Sequence, residues 1–273
     1  MTEPGRPPSG VDASAPRSAR VYDYLLGGKD NFAADREAAE LSLRAVPQMR
    51  AIAMENRRFL RRAVRFCADA GIRQFVDIGA GLPTQDNVHQ VAQRAAAGSR
   101  VVYADNDPVV VNHGLALLAE SERTTVINGD LRRPDEILDH LGLRALIDLD
   151  QPVAVLLVAI LHFIPDADDP AGSVARFRDA MAPGSYLVVS HAEISPAHAS
   201  GTEPLSEEGR LLSQLYRGKT GPARTRAEIA TFFGDFDPVE PGLTEVWKWR
   251  PVGEPVVSTS DVMTMVGGVA RKR

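Results

Sequence analysis

From Gly71 onward, short apolar runs alternate with polar, helix-forming stretches. Five of these runs are QFVDIG, RVVYAD, TTVING, VAVLLVAI and SYLVVSHAEI. A continuous run such as Val153–Ile160 suits a parallel strand buried on both faces. Strands alternating with helices predict right-handed βαβ units, hence an α/β fold with a doubly wound sheet. The end of the chain reads differently. LTEVWKWRP and DVMTMVGGVARKR follow each other across a Gly/Pro/Ser-containing connection with no room for a helix. They predict an antiparallel pair closing one sheet edge, with Trp247 and Trp249 on one strand face against a helix.

Before the sheet, from Arg20 to Ala70, the periodicity is helical. Short helices are expected over Tyr22–Leu26 and Asp35–Ala45, joined by GGKDNF, where Gly27 and Gly28 break the pattern. A longer helix follows, with Pro47 just inside its start and Gly71 as its C-cap. Its Ile52, Phe59, Leu60, Ala63 and Phe66 share one face. Residues 1–19, rich in Pro, Ser, Gly and Ala, are expected to form a disordered tail. The polar stretch from Ser195 to Arg226 is too long for a simple connection and is a candidate cap over a site. The chain thus divides into a tail (1–19), a helical cover or lid (20–70) and a core (71–273) carrying a cap insertion near 195–226.

Composition narrows the classes of function. Of 273 residues, 44% are hydrophobic and 25% charged, and the length is near the upper limit for one core. One cysteine, Cys67, excludes a disulfide framework. A net charge of -5 argues against an extended nucleic-acid surface. There is no run of about 18 apolar residues and no signal-peptide pattern, so no membrane partner and a cytoplasmic location are expected. Nothing in the pattern sets an oligomeric state.

The most informative stretch is Phe75-Val76-Asp77-Ile78-Gly79-Ala80-Gly81-Leu82-Pro83. A strand ending in Asp and then Gly-x-Gly puts a tight turn at the carboxyl end of the first parallel strand. Glycines there let a ligand approach the main chain. Asp105, in Asp105-Asn106-Asp107-Pro108, ends the second strand on the same crevice and can accept two ribose hydroxyls. Asp107 is either a further contact or the N-cap of the next helix. Asp130 ends the third strand and could accept from an exocyclic adenine amine, with Leu131 donating its backbone N–H. His162 and His191 lie where the fourth and fifth strands end. Each is either a general base or a hydrogen-bonding residue that shapes the pocket. The acids after His162 read as a turn with N-caps rather than a metal site, so no metal is expected. Asn56 and Arg57 form either a solvated helix face or a carboxylate clamp.

At VDIGAGLP, VVYADNDP, INGDL and VAILHFIPD the chain resembles the class I S-adenosylmethionine-dependent methyltransferases. RVYDYLLGGKDNFAADREAAE, ENRRFL, LLVAILHFIPD and the closing WRP and VGGVARK resemble more closely one actinobacterial S-adenosyl methyltransferase family, formerly a domain of unknown function. The resemblance runs from about Arg20 to the end. It implies a Rossmann-like seven-stranded sheet, mostly parallel with an antiparallel C-terminal strand. It also implies S-adenosylmethionine as cofactor. Gly79 and Gly81 would flank its methionine part, and Asp77 would hold its amino group. Asp105, beside Asn106, would take the ribose hydroxyls, and Asp130 with Leu131 the adenine edge. Ala159 to His162 would line the sulfonium. The segment Tyr22–Phe32, with Tyr22, Gly28 and Asn31, would close over the cofactor as a lid or serve only as a helix–helix turn.

The expected activity is methyl transfer by in-line displacement to an unidentified small-molecule acceptor, with His162 as candidate catalytic residue. Such a displacement uses an activated donor and makes no base obligatory. The rival reading is a regulatory protein that binds the cofactor without turning it over. A nicotinamide dehydrogenase is disfavoured by Pro83 and Thr84, where the dinucleotide fingerprint wants a glycine.

Overall fold

The computed structural model describes residues 12–83, 86–118, 121–193, 210, 224–254 and 263–273. Three helices, α1 (Ser18–Leu25), α2 (Ala33–Ala45) and α3 (Met49–Asp69), precede the sheet. Then strands and helices alternate: β1 (Gln74–Ile78), α4 (Val88–Ala95), β2 (Arg100–Asp105), α5 (Pro108–Leu117) and β3 (Thr124–Asn128). Next come α6 (Pro134–Leu138), α7 (Leu141–Arg144), β4 (Ala154–Val158), α8 (Pro170–Ala180) and β5 (Tyr186–Glu193). After the cap region follow α9 (Arg226–Ala230), β6 (Asp237–Pro238), β7 (Thr244–Glu245) and β8 (Thr264–Arg271).

Among the described residues the sheet has eight strands in the order β3-β2-β1-β4-β5-β8-β6, with β7 also paired to β8. The first five are parallel, and β8 is antiparallel to β5, β6 and β7. All five apolar runs are therefore strands of a doubly wound sheet. Successive strand residues face opposite cores, as the two-residue period requires. Phe75, Val101, Ala154 and Val188 pack on the side of α1–α5. Val76, Val102, Val155 and Val189 pack on the side of α6–α9. Order reverses between β1 and β4, so the crevice opens at the carboxyl ends of β1, β2 and β4.

Several expectations change. The sheet counts eight strands instead of seven because the edge is built from two two-residue strands, β6 and β7. The expected antiparallel pair is present as β7 and β8, with β8 lying between β5 and the edge strands. Trp247 and Trp249 are buried, as a core reading requires, yet they do not lie on a strand. The chain turns after β7, where Lys248 N–H bonds the Glu245 carbonyl, while Arg62 of α3 donates to the carbonyls of Val246 and Trp249. Pro47 lies ahead of α3, which begins at Met49. Gly71, with φ +100°, ends that helix as expected. The tail does not reach residue 19: α1 begins at Ser18, and Arg17 N–H bonds the Asp35 carboxylate at 2.9 Å.

The helical cover packs directly on the sheet. Leu25, Ala39, Ile52 and Phe59 belong to the same buried cluster as the sheet residues Phe75 and Val188. Of the cap expected near 195–226, only Arg210 and residues 224–226 fall among the described residues. No helix among the described residues is long and apolar enough to cross a membrane.

Candidate cofactor crevice

The loop after β1 turns through Gly79 (φ +72°) and Gly81 (φ +67°), conformations that cost little only for glycine. The N–H of Gly79 bonds the Ala104 carbonyl at 2.8 Å and ties the loop to β2. The two glycines serve different ends. A Cβ on Gly79 would meet the Ile160 side chain at 2.5 Å, whereas one on Gly81 would meet nothing within 4 Å. Gly79 is required by packing. Gly81 leaves open space beside the main chain.

Asp77 and Asp105 stand at the ends of β1 and β2, only 5% and 6% exposed. Both oxygens of Asp105 accept backbone N–H groups at 2.9 Å, Oδ2 from Gly81 and Oδ1 from Asp107. Its carboxylate thus shapes the glycine loop, and each oxygen keeps a lone pair for another donor. Burial raises its pKa, and these N–H groups oppose the rise. Burial pushes Asp77 up to about 7; the Arg57 guanidinium pulls it down and Asp105 adds to the rise. A carboxyl in this condition is short of positive charge.

Asp107 is the N-cap of α5: Oδ1 accepts the Val109 N–H at 2.9 Å, and Pro108 opens the helix. Its Oδ2 lies 3.6 Å from Nε of the buried Arg20, which is also 3.5 Å from Asp35. Asp130 accepts from the backbone and side chain of Arg132 and, at 3.4 Å, from Asn106 Nδ2. Its acceptor capacity is largely taken up by these groups. Leu131 is buried in the core on the side of α6–α9. Arg132 also reaches Asp168 at 3.5 Å, while Asp169 caps α8 through the Gly172 N–H. No group of three or more His, Cys, Asp or Glu among the described residues could hold a metal ion.

At the end of β4, Ala159 takes φ +57°, a left-handed conformation that costs a residue with a Cβ about 1–2 kcal/mol. Its N–H is shared between the carbonyl of Ser190 at 3.1 Å and its Oγ at 3.0 Å. Asn56 is 1% exposed and hydrogen-bonded to Ser190 and Tyr22, which overturns the solvated-face reading for that residue. Arg57, partly exposed, donates to the Asp86 carbonyl at 3.5 Å and lies close enough to Asp77 to lower its pKa.

His162 sits in a single 3-10 turn after β4, its ring 4.3 Å from Phe163 and 5.4 Å from His191. Its Nδ1 accepts the Ala192 N–H at 3.4 Å, which assigns the proton of the neutral ring to Nε2. Burial, with His191 and Arg224 nearby, holds its pKa well below the usual value. His191 is fully buried and pushed down to about 4, chiefly by burial. Its Nδ1 meets the Ala192 carbonyl at 2.6 Å and its Nε2 meets Arg224 at 3.1 Å, so Nδ1 donates and Nε2 accepts. Arg224 further binds the carbonyls of Leu161 and Ile164, each at 3.0 Å, and Asp166 at 2.6 Å.

In the loop between α1 and α2, Asn31 Nδ2 donates to Asp23 at 2.8 Å and to the Gly28 carbonyl at 3.1 Å. A Cβ on Gly28 would collide with the Asp23 carboxylate. Both residues therefore build a turn around the buried Asp23. Two further residues, Ser190 and Arg224, organise this end of the sheet. Ser190 leaves a faint trace as a serine that follows the apolar residues Leu187–Val189. Arg224, in a polar stretch, leaves none.

A family profile described as S-adenosyl methyltransferase matches residues 4–273. The chain belongs to this family. A methyltransferase candidate from Thermobifida fusca is 43% identical, with TM-score 0.86 over 98% of each chain. A DUF574-family protein from Streptomyces avermitilis is 40% identical, with TM-score 0.87 over 96% of this chain and 99% of its own. The plantazolicin methyltransferase BamL, solved with a triazolic desmethylPZN analog and SAH, shares the fold at 10% identity. Its TM-score is 0.53, over 93% of this chain and 95% of its own. No curated protein matches the chain. S-adenosylmethionine is the cofactor of the family. The crevice fits it, with a buried, cation-seeking Asp77 beside open space at Gly81.

Proposed function

We propose that the protein transfers a methyl group from S-adenosylmethionine to a small-molecule acceptor, with the cofactor lying across the ends of β1, β2 and β4. The observation that carries this reading is the pair of buried carboxylates, Asp77 and Asp105, flanking the Gly79–Gly81 turn. The cofactor supplies a methyl group on a sulfonium sulfur, a donor that needs no further activation.

Within this reading each residue has a task. Asp77 takes the ammonium of the methionine part, and Arg57, close by, takes its carboxylate. Asp105 accepts from the ribose hydroxyls while holding the loop through Gly81 and Asp107. Asn106, with the Arg132-bound Asp130 and the Leu131 N–H, borders the adenine. The turn Ala159–His162 borders the reacting methyl. His162 enters this scheme as a neutral donor at Nε2 that orients an acceptor; the acceptor's own nucleophile bonds to the methyl carbon as the methyl–sulfur bond breaks, S-adenosylhomocysteine leaves, and the acceptor's proton passes to solvent. Tyr22, Gly28 and Asn31 act on the cofactor indirectly, through the architecture of the cover.

Isothermal titration with S-adenosylmethionine, S-adenosylhomocysteine and NAD tests the proposal. Binding of the first two with no response to NAD is expected; the converse would overturn it. Cofactor binding with no turnover across a metabolite screen would favour a regulatory role.

A further inference from the structure

A single chain of hydrogen bonds links the helical cover to the mouth of β4. The Ala159 N–H donates to Ser190 Oγ at 3.0 Å, and Ser190 Oγ donates to Asn56 Oδ1 at 2.7 Å. Asn56 Nδ2 then donates to the Tyr22 hydroxyl at 3.0 Å, which donates to the Ala53 carbonyl at 3.0 Å. Every donor points the same way, so each bond polarises the next. The partners lie far apart in sequence, on α1, α3, β5 and the end of β4. Ser190 is fully buried and Asn56 nearly so.

The chain ends on the one non-glycine residue of the β4 mouth held in a left-handed conformation. That strain persists only if the surroundings impose it. The next residue, Ile160, fills the space a Cβ on Gly79 would need, so the strained turn lies against the cofactor loop. Resting on the proposed cofactor position, we infer that Ser190, Asn56 and Tyr22 are positioning residues for methyl transfer. Through Ala159 they hold the β4 turn, with its backbone dipoles, against the sulfonium end of the cofactor. Tyr22 thus acts through Asn56 and Ser190 and not by touching the ligand.

This role predicts a difference between two ligands that share everything except the methyl group and the positive charge on sulfur. A turn aimed at the sulfonium discriminates S-adenosylmethionine from S-adenosylhomocysteine; a turn that only supports the fold weakens both alike. The test uses Tyr22→Phe and Ser190→Ala in the full chain, each removing one oxygen. Affinities for both ligands are read by titration calorimetry, and thermal unfolding reports the fold. In either folded variant the Kd for S-adenosylmethionine is expected to rise about fivefold to tenfold, the scale of a lost interaction with a charged group. The Kd for S-adenosylhomocysteine is expected to stay within about twofold. Equal weakening of both ligands, or no change in either, overturns the positioning role and leaves the cofactor site standing. A wild-type protein that binds neither ligand overturns the cofactor site and this role with it.

Discussion

Asp77 and Asp105 face the same crevice but are satisfied in different ways. Asp105 is answered by two backbone N–H groups, whereas burial leaves Asp77 short of positive charge and the nearby Arg57 offsets only part of that. Because Asp77 has its folded pKa raised to about 7, its contribution to stability is present below the ordinary carboxyl pKa. That contribution is lost as pH rises through 7. A bound ammonium reverses this, since it favours the carboxylate. Cofactor binding below pH 7 must therefore release a proton, and affinity should rise by up to about tenfold per pH unit until Asp77 is ionised. Above about pH 8 the amino group of the ligand begins to lose its own proton, and affinity falls again. Calorimetry at pH 6 in two buffers of different ionisation enthalpy reads the released proton directly; its absence would remove Asp77 from the ammonium site. Asp105→Ala should weaken cofactor binding by about 1.5–3 kcal/mol, the range for hydrogen bonds to a charged group. Unchanged affinity would place the ribose elsewhere.

At the scale of elements, the β4 and β5 ends are fastened together by a residue far downstream. Arg224 grips two carbonyls of the β4 turn, Nε2 of His191 and the Asp166 carboxylate. Arg224→Met keeps the length of the stem and leaves these acceptors without their donor. A loss of about 2–4 kcal/mol is expected from unpaired buried groups, discounted because Asp166 is largely exposed. Urea unfolding should show a lower midpoint at unchanged slope. A midpoint equal to that of the wild type would make the guanidinium dispensable. The same elements show what a linear reading can reach. The five parallel strands were legible from their short apolar runs, most plainly in β4, where burial on both faces demands an unbroken one. Asp77, Gly79, Gly81 and Asp105 were legible because a tight turn at a strand end carries its requirements in neighbouring residues. The strands β6 and β7, two residues each, show no periodicity at all. Trp247 and Trp249 alternate like a strand, yet Arg62 draws the carbonyls of Val246 and Trp249 onto α3, a contact set only by tertiary packing. Asn56 and Ser190 are 134 positions apart, and neither announces the other.

Over the whole molecule, the helices that precede the sheet are part of its core. One buried cluster runs from Leu25 and Ala39 through Phe59 to Phe75, Val188 and Val269. Trp249 packs edge-on against Phe59 at 5.5 Å and Phe66 at 5.9 Å, joining α3 to the segment before β8. Arg20 adds a polar tie between α1, Asp35 and the N-cap of α5. A cover built this way cannot open as a unit without exposing a sheet face, so cover and sheet should unfold together. The two tryptophans of the chain, Trp247 and Trp249, lie in this shared cluster and report on it by fluorescence, while far-ultraviolet circular dichroism reports on all helices and strands. The two probes should give one coincident thermal transition. Cofactor at about one hundred times its Kd adds about 2.7 kcal/mol to the folded state, which moves Tm up by about 5–10 °C for a protein of this size. Both probes must move by the same amount, because the proposed cofactor site lies at the sheet ends while the fluorescence comes from the cover side. A shift in dichroism with the fluorescence transition left in place would mean that the cover is a separate lid after all.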